Sequence, residues 1–416
     1  MTKEILYLSY HFPPYSNILS NRATEFSKRL IKSGYKIFVV SAKNNKNAPI
    51  DKELLKAVDS PLIKNAQVYN LSFSSSGMAS SVKEISFLKE LFNIFLFFHW
   101  LPLSFVKGSQ IIRKNNIRII YTSAPPFFSL VLGALLKKFF KIPLVVEYRD
   151  PWSDNPYVLG NMSELTKKNY NKIDKKVLKT SDAIIAISEG LKDYLIESFP
   201  SIVQKEKIFV LPNGLDIDST LATDIVFPPT NEIVFTFTGK LYGLRELKPL
   251  IKIVSSVKDL GKLEDISLKI NIFGRYNFEY LSNLIQKYKV SEYFSLNGFI
   301  PRPECLKKIS ESTLTLHIGE NFNYPTISFK VWDYLSMGKK IIYLGREDSF
   351  TARFLKENDL GFTIPVNKHD LGVKKFISLI DRLTSNQINL EVDPKQLSNY
   401  TWDNLTTKLK AIFNKF

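Results

Sequence analysis

Three polar side chains, Ser328, Lys330 and Asp333, fall close together in the run Tyr-Pro-Thr-Ile-Ser-Phe-Lys-Val-Trp-Asp-Tyr-Leu-Ser-Met-Gly that starts at Tyr324, with Lys-Lys-Ile-Ile-Tyr-Leu-Gly after it. The pattern predicts a loop, a short helix and a buried strand. A helix starting there turns its first backbone N–H groups, those of residues 326–329 including Thr326 and Ile327, toward whatever precedes it. With the helix dipole they favour an anion such as a diphosphate. Ser328 falls in the first turn, Lys330 can reach back over it, and Asp333 projects about two turns along from Thr326, where a carboxylate can accept hydroxyls.

A second cluster follows the apolar run 233–238: Gly239, Lys240 and Arg245. A glycine at a strand end lets an anion approach the backbone, and two cations neutralise a diphosphate without a metal. A third closes the run 144–148 as Val-Glu-Tyr-Arg-Asp-Pro-Trp, with Arg149, Asp150 and Trp152 at a strand end, where an α/β protein carries function. The plainer reading of Arg149 and Asp150 is an ion pair that fixes the loop. His-Phe-Pro-Pro-Tyr-Ser-Asn follows the first strand, bringing Pro14, Ser16, Asn17 and then Arg22 to another strand end; here the plainer reading is a rigid turn.

The spacing of Ser328, Lys330, Asp333, Tyr334, Leu335, Gly338 and Lys339 resembles the donor-site helix of family 4 retaining glycosyltransferases of GT-B type, roughly Ser-x-Lys-x-x-Glu-Tyr-Leu-Ala-x-Gly-Lys-Pro, with Asp for Glu. Pro325 stands where many members carry the first Glu of a Glu-x7-Glu pair, which leaves Asp333 for the nucleotide ribose. The Arg-Asp-Pro-Trp element resembles envelope-polysaccharide branches of the family, and Pro-Asn-Gly-Leu-Asp from Pro212 is similar to the family's close of the first domain. The resemblance implies two Rossmann-like, doubly wound parallel-sheet domains facing a cleft. It implies a donor site of Gly239, Lys240, Arg245, Gly274, Asn321, Asn323, Thr326, Ile327, Ser328, Lys330 and Asp333. The acceptor would meet Pro14, Ser16, Asn17, Arg22 and Trp152. Catalytic roles would fall to Lys240 and Arg245 on the leaving diphosphate, Asp150 as hydroxyl contact or weak base, and Arg149 orienting it or reaching the donor. The implied activity is metal-independent, retaining transfer of a sugar from a UDP- or GDP-linked donor to a saccharide acceptor. That acceptor would be polyprenyl-linked, in capsule, lipopolysaccharide or exopolysaccharide synthesis, with no cofactor. Two alternatives keep the fold: a nucleotide-sugar 2-epimerase, which wants more histidines than this chain has, and a catalytically degenerate partner subunit that binds nucleotide.

Strand-length apolar runs alternate with helical patterns throughout, the signature of parallel sheets covered on both faces. Strands are predicted at 5–10, 36–41, 117–122, 144–148, 183–187 and 208–211. A second set follows at 233–238, 268–273, 294–296, 314–318 and 340–344. Helices are predicted at 22–33, ending at Gly34, and at 127–140, 167–178 and 402–413. The domains expected are 1–215, a linker at 216–231 where periodicity fails, 232–397, and a helix at 398–416 that the resemblance returns to the first domain.

At 416 residues and 44% hydrophobic content the chain can bury two cores. Cys305 is the single cysteine and the four histidines are scattered, so a disulfide or zinc framework is not expected and a cytoplasmic setting is. The apolar run at 5–10 is too short for a signal-peptide core. Through Pro200 there are 28 lysines and arginines against 16 acids, so +12 of the +17 formal charge is N-terminal. Lys137 to Lys141 and the lysines from Lys167 to Lys176 mix cations with apolar groups. The aromatic stretch 87–106 is too interrupted to span a bilayer. An anionic membrane surface is therefore a candidate partner, against a solvated lysine-rich surface as the plainer reading. No nucleic-acid module accompanies the charge.

Overall fold

The structure, a computed structural model, describes residues 3–14, 18–43, 50, 52–69, 100–153, 155, 162–215, 228, 232–241, 246–319 and 324–416. The chain divides into two compact units, Met1–Asn213 with Trp402–Phe416, and Gly214–Thr401. Apart from Pro228, the expected linker lies outside the described residues.

In the first unit β1 (Lys3–Leu8), α1 (Ile18–Lys32), β2 (Tyr35–Lys43), α2 (Lys52–Ala57) and β3 (Ile63–Tyr69) build one half of a sheet. Then α3 (Leu101–Lys114), β4 (Ile117–Ala124), α4 (Phe128–Phe140), β5 (Leu144–Tyr148), α5 (Glu164–Thr180), β6 (Ala183–Ala186), α6 (Glu189–Ser198) and β7 (Ile208–Val210) build the other. The described strands pair in parallel in the order β3-β2-β1-β4-β5-β6-β7. Leu6, Leu8, Val40, Ile120, Val146 and Ile184 meet Leu130, Leu132 and Leu136 of α4 in its core, each side chain stabilising by about 1.5–3 kcal/mol. Gly34 closes α1 at φ +81°, with its N–H on Ile31 O. Ser163 and Ser188 cap α5 and α6 by accepting from Thr166 N and Leu191 N.

The second unit holds β8 (Glu232–Lys240), α7 (Lys248–Asp259), β9 (Ser267–Arg275), α8 (Phe278–Lys287), β10 (Phe294–Gly298), α9 (Arg302–Ser310) and β11 (Leu314–Ile318). These are followed by α10 (Phe329–Ser336), β12 (Ile341–Leu344), α11 (Phe350–Glu357), β13 (Gly361–Ile364), α12 (His369–Thr384) and the short α13 (Pro394–Leu397). Its parallel sheet runs β10-β9-β8-β11-β12-β13. The last helix, α14 (Trp402–Phe413), belongs to the first unit. There Trp402 packs edge-on against Phe26, and Phe413 against Tyr35 and Tyr121.

The predicted strands all form, with ends moved by a few residues. Two others, β3 and β13, carried no apolar run to announce them. Both are edge strands, and most of their side chains are only half-buried. Of the aromatic stretch 87–106, residues 87–99 lie outside the described residues, and Trp100 is fully buried at the start of α3. Among the described residues no helix is long and apolar enough to cross a membrane.

Candidate functional site

Strand order in the second sheet reverses between β8 and β11, and the crevice at their carboxyl ends is where a doubly wound sheet takes its ligand. Gly239 and Lys240 end β8 there, and the loop leaving β11 leads into α10. Ser328 is the N-cap of that helix rather than part of its first turn, and its side chain makes no capping bond. Val331 N donates to Ser328 O as the helix opens, so the amides just before it point out of the helix end. Thr326 and Ile327 are buried beneath. Tyr334 fastens the helix to the strand: its Oη accepts from Thr238 N at 3.1 Å and lies 3.2 Å from Thr238 Oγ1.

Glycine is required at this crevice on steric grounds. Gly239 and Gly274 sit opposite each other in the β8–β9 register, with φ of +125° and +137°. A Cβ on Gly274 would come within 1.7 Å of Gly239 O, and one on Gly239 within 2.1 Å of Lys330 Nζ. The Lys330 ammonium therefore rests against bare backbone, 4.6 Å from the Phe237 ring centre. Lys240 is exposed beside it at the strand end. Two cations and a helix N-terminus thus gather around the end of β8.

Asp333 departs from the expectation of an open carboxylate. Arg302, in the first turn of α9, forks onto it, donating from Nη1 to Oδ2 at 3.0 Å and from Nη2 to Oδ1 at 2.8 Å. Burial raises the Asp333 carboxyl above its ordinary range, while Arg302 and Lys330 pull it back. Cys305, one turn beyond Arg302, lies against Thr238, and burial pushes its thiol up. Arg275 stacks 5.1 Å over the ring of Phe299, which is 66% exposed. The sequence motifs did not single out Arg302. Its signal was positional: Ile-Pro-Arg directly after a strand end is the start of a helix beside the crevice. His317 is buried at the end of β11 with its ring 5.8 Å from that of Tyr343. Arg245, Asn321 and Asn323 lie outside the described residues.

In the first sheet the order reverses between β1 and β4. Pro14 is half-buried in the loop after β1, where Asn65 Nδ2 donates to Pro13 O at 3.3 Å; the Pro13-Pro14 bond is cis, as are Ala124-Pro125 and Pro125-Pro126 after β4. Ser16 and Asn17 lie outside the described residues. Arg22 requires a correction: it is no surface contact for a substrate but fully buried, with Nη2 2.9 Å from Glu147 Oε2 and further bonds to Leu211 O and Pro212 O. Register explains the partner. Ser123 faces Glu147 across the β4–β5 ladder, so Ser123 Oγ and Tyr121 Oη both donate to that carboxylate at 2.6 Å. Burial would raise the Glu147 carboxyl, but Arg22, Arg149 and Ser123 together hold it below its ordinary value. Trp152 is a second correction, fully buried and stacked 5.1 Å on Phe127, so its ring is core rather than acceptor platform.

Arg149 is buried with Nη1 on Leu19 O at 3.2 Å, and Asp150 beside it is half-buried. Burial lowers the Arg149 guanidinium, and Glu147 opposes that shift. Burial, with Arg149 nearby, holds His11 down at about 4, so that imidazole is neutral at pH 7. Among the described residues no three side chains gather as metal ligands. Two further cavities are lined by described residues. One, of about 290 Å³, is lined by Lys3, Tyr35 and Phe413 in the first unit. The other, of about 630 Å³, is a groove along the second sheet past Thr236, Asn271 and Asn297.

Residues 19–219 match the model of Glycosyltransferase Family 4. An uncharacterised glycosyltransferase of Methanocaldococcus jannaschii is 25% identical over 198 residues, 45% of this chain and 48% of that protein, so the match spans about half of each. Among solved structures, a glycosyltransferase from Rickettsia africae superposes with a TM-score of 0.67 at 16% identity over 100% of this chain and 98% of its own. The lipopolysaccharide outer core galactosyltransferase WaaB gives 0.66 at 17%, over 99% and 100%. Anabaena HepE in complex with UDP gives 0.65 at 12%, over 100% of both chains. At these identities the structural likeness is one of fold.

Proposed function

We propose, for a chain whose residues 19–219 belong to glycosyltransferase family 4 and whose two parallel-sheet units carry the GT-B fold, that it transfers a sugar from a nucleoside-diphosphate donor to a saccharide acceptor. The observation that carries this reading is the crevice at the end of β8, where Lys240, Lys330 and the open end of α10 surround glycine backbone. Departure of a nucleoside diphosphate leaves negative charge on its phosphate oxygens. Fixed cations and helix-end amides stabilise that charge without reorganising, which is how a preorganised site lowers a barrier.

In this mechanism Lys240, with Arg245, takes the leaving diphosphate and Lys330 fixes its position over Gly239. Asp333 accepts ribose hydroxyls, Gly274 leaves room for the nucleotide, and Asn321 and Asn323 accept or donate to the sugar. The transition state is oxocarbenium-like, attack comes from the face the diphosphate leaves, and no metal takes part. Asp150 receives or orients the attacking hydroxyl, held by the buried Arg149. The acceptor is a cell-envelope saccharide on a polyprenyl carrier. UDP heads the ligand panel because HepE, of similar fold, was solved with UDP and with UDP-glucose.

Calorimetric titration with UDP, GDP and CMP tests the reading. One nucleoside diphosphate should bind selectively, and Lys240→Ala and Asp333→Ala should each weaken it about ten- to hundredfold, the worth of a charged hydrogen bond. Absence of binding even at millimolar ligand would leave the degenerate-partner reading in its place.

A further inference from the structure

Helices α3, α4 and α5 lie side by side in the first unit, α3 against α4 and α4 against α5, and each turns one stripe to solvent. Along α3 the exposed positions include Leu103, Val106 and Lys107, an i, i+3, i+4 set on one side of the helix. On α4 they are Lys138 and Phe139, and the Phe139 ring centre lies 5.2 Å from that of Phe105, a half-buried residue of α3 outside its exposed stripe. Leu165, Lys168, Lys172 and Lys176 form the stripe of α5. Phe139 and Leu165 are each 68% exposed, and Leu103 and Val106 are exposed on the same helical layer.

The charge on these helices has one sign. Their sequences contain 11 lysines and arginines and two acids. Of those acids, Asp174 is buried as the acceptor of Tyr148 and Ser153 hydroxyls, and Glu164 is paired with Lys167. A polyanion alone would account for the lysines but gives no use to exposed Leu103, Val106, Phe139 and Leu165. A water-facing surface would likewise account for the lysines but not for the apolar side chains. Cations flanking apolar side chains on one helical layer are what an anionic bilayer selects, with ammonium groups at the headgroups and apolar tips below them.

We propose that the outward face of α3, α4 and α5 docks on an anionic lipid bilayer. None of these exposed residues is among the crevice residues of either sheet, so the inference goes beyond the transferase reading and holds or fails separately from it.

Co-sedimentation of the full chain with vesicles tests it. The chain should pellet with phosphatidylcholine vesicles containing about one quarter phosphatidylglycerol and stay in solution with phosphatidylcholine alone. The triple variant Lys168→Glu/Lys172→Glu/Lys176→Glu should lower partitioning at least about a hundredfold, since each cation near an anionic surface contributes about fivefold. Phe139→Ser with Leu165→Ser should weaken it about tenfold or more and remove the part that survives about 0.5 M NaCl. All five side chains are exposed, so the thermal transition of each variant should match the parent. No pelleting with the anionic vesicles, or pelleting that ignores both variants, overturns the proposal. So does a response to the lysine variant alone, with an RNA homopolymer bound as tightly as the vesicles, because that is a polyanion surface. Nucleotide titration reads the crevice independently of every one of these outcomes.

Discussion

At Asp333 two demands compete for one carboxylate. Burial favours its protonated form, whereas accepting a hydroxyl pair from a ribose needs it ionised. Burial wins, so the carboxyl stays above its ordinary value, while Arg302 through a two-pronged bond from α9 and Lys330 from its own helix pull it back toward the charged form. Cys305 of α9 and Tyr334 of α10 also face it, and both are pushed up and neutral at pH 7. Arg302→Met therefore removes the larger of the two groups that lower the Asp333 carboxyl. The sign is fixed: the folded-state value rises further, so the acid limb of nucleotide affinity should move to higher pH, while Asp333→Asn should abolish the limb. Stability follows the same linkage. A carboxyl raised in the folded state contributes stability at low pH that is lost as pH rises through its folded value, so Arg302→Met should cost more at neutral pH than below the carboxylate range. Calorimetric affinity measured across pH on the three proteins decides the point, and an Arg302→Met profile that overlays the parent would sink it.

Where β8 and β9 end, backbone geometry rather than any side chain makes the room for a ligand. Gly274 at φ +137° faces Gly239 across the ladder, and a methyl group there meets the Gly239 carbonyl. Gly274→Ala should destabilise the second unit by about 2–4 kcal/mol and weaken nucleotide binding with it, checked by the denaturant midpoint together with titration. The same pair illustrates what could be read in advance. Gly239 and Gly274 were visible as glycines at the ends of apolar runs, and those runs marked the interior strands because a parallel strand buried on both faces must be apolar throughout. The edge strand β3 escaped because about half its residues are polar, Ile-Lys-Asn-Ala-Gln-Val-Tyr, and β13 because Gly-Phe-Thr-Ile is too short a run to stand out. Arg22 and Trp152 stood at legible strand-end positions but with the wrong surroundings assigned. Whether an arginine there faces solvent or Glu147, 125 residues along the chain, depends on strand register, which no local pattern reports. Arg302 was missed for the same reason: its partner is fixed by how α9 lies against α10, not by spacing along the chain.

The chain as a whole closes its first unit with its last helix. Unit one consists of Met1–Asn213 completed by Trp402–Phe416, so the residues that finish its core are made after the entire second unit. Trp402, Leu405, Leu409, Ile412 and Phe413 are all buried, and Arg29 pairs with Asp403 across the same contact at 2.6 Å. Five buried apolar side chains at about 1.5–3 kcal/mol each contribute on the order of 10 kcal/mol, an upper estimate because the unfolded chain also hides apolar surface. That matches the whole net stability of an ordinary domain, about 5–15 kcal/mol. Truncation after Thr401 should therefore cost the first unit its cooperative transition while sparing the second, whose core is built from β8 to β13 and the helices between them. Calorimetric scanning of the truncated chain should show one transition where the full chain shows two or one larger one. A peptide of residues 402–416 added in trans should restore part of the lost enthalpy. If truncation leaves the full enthalpy unchanged, the helix is an accessory to the first unit and its buried face contributes far less than its area implies.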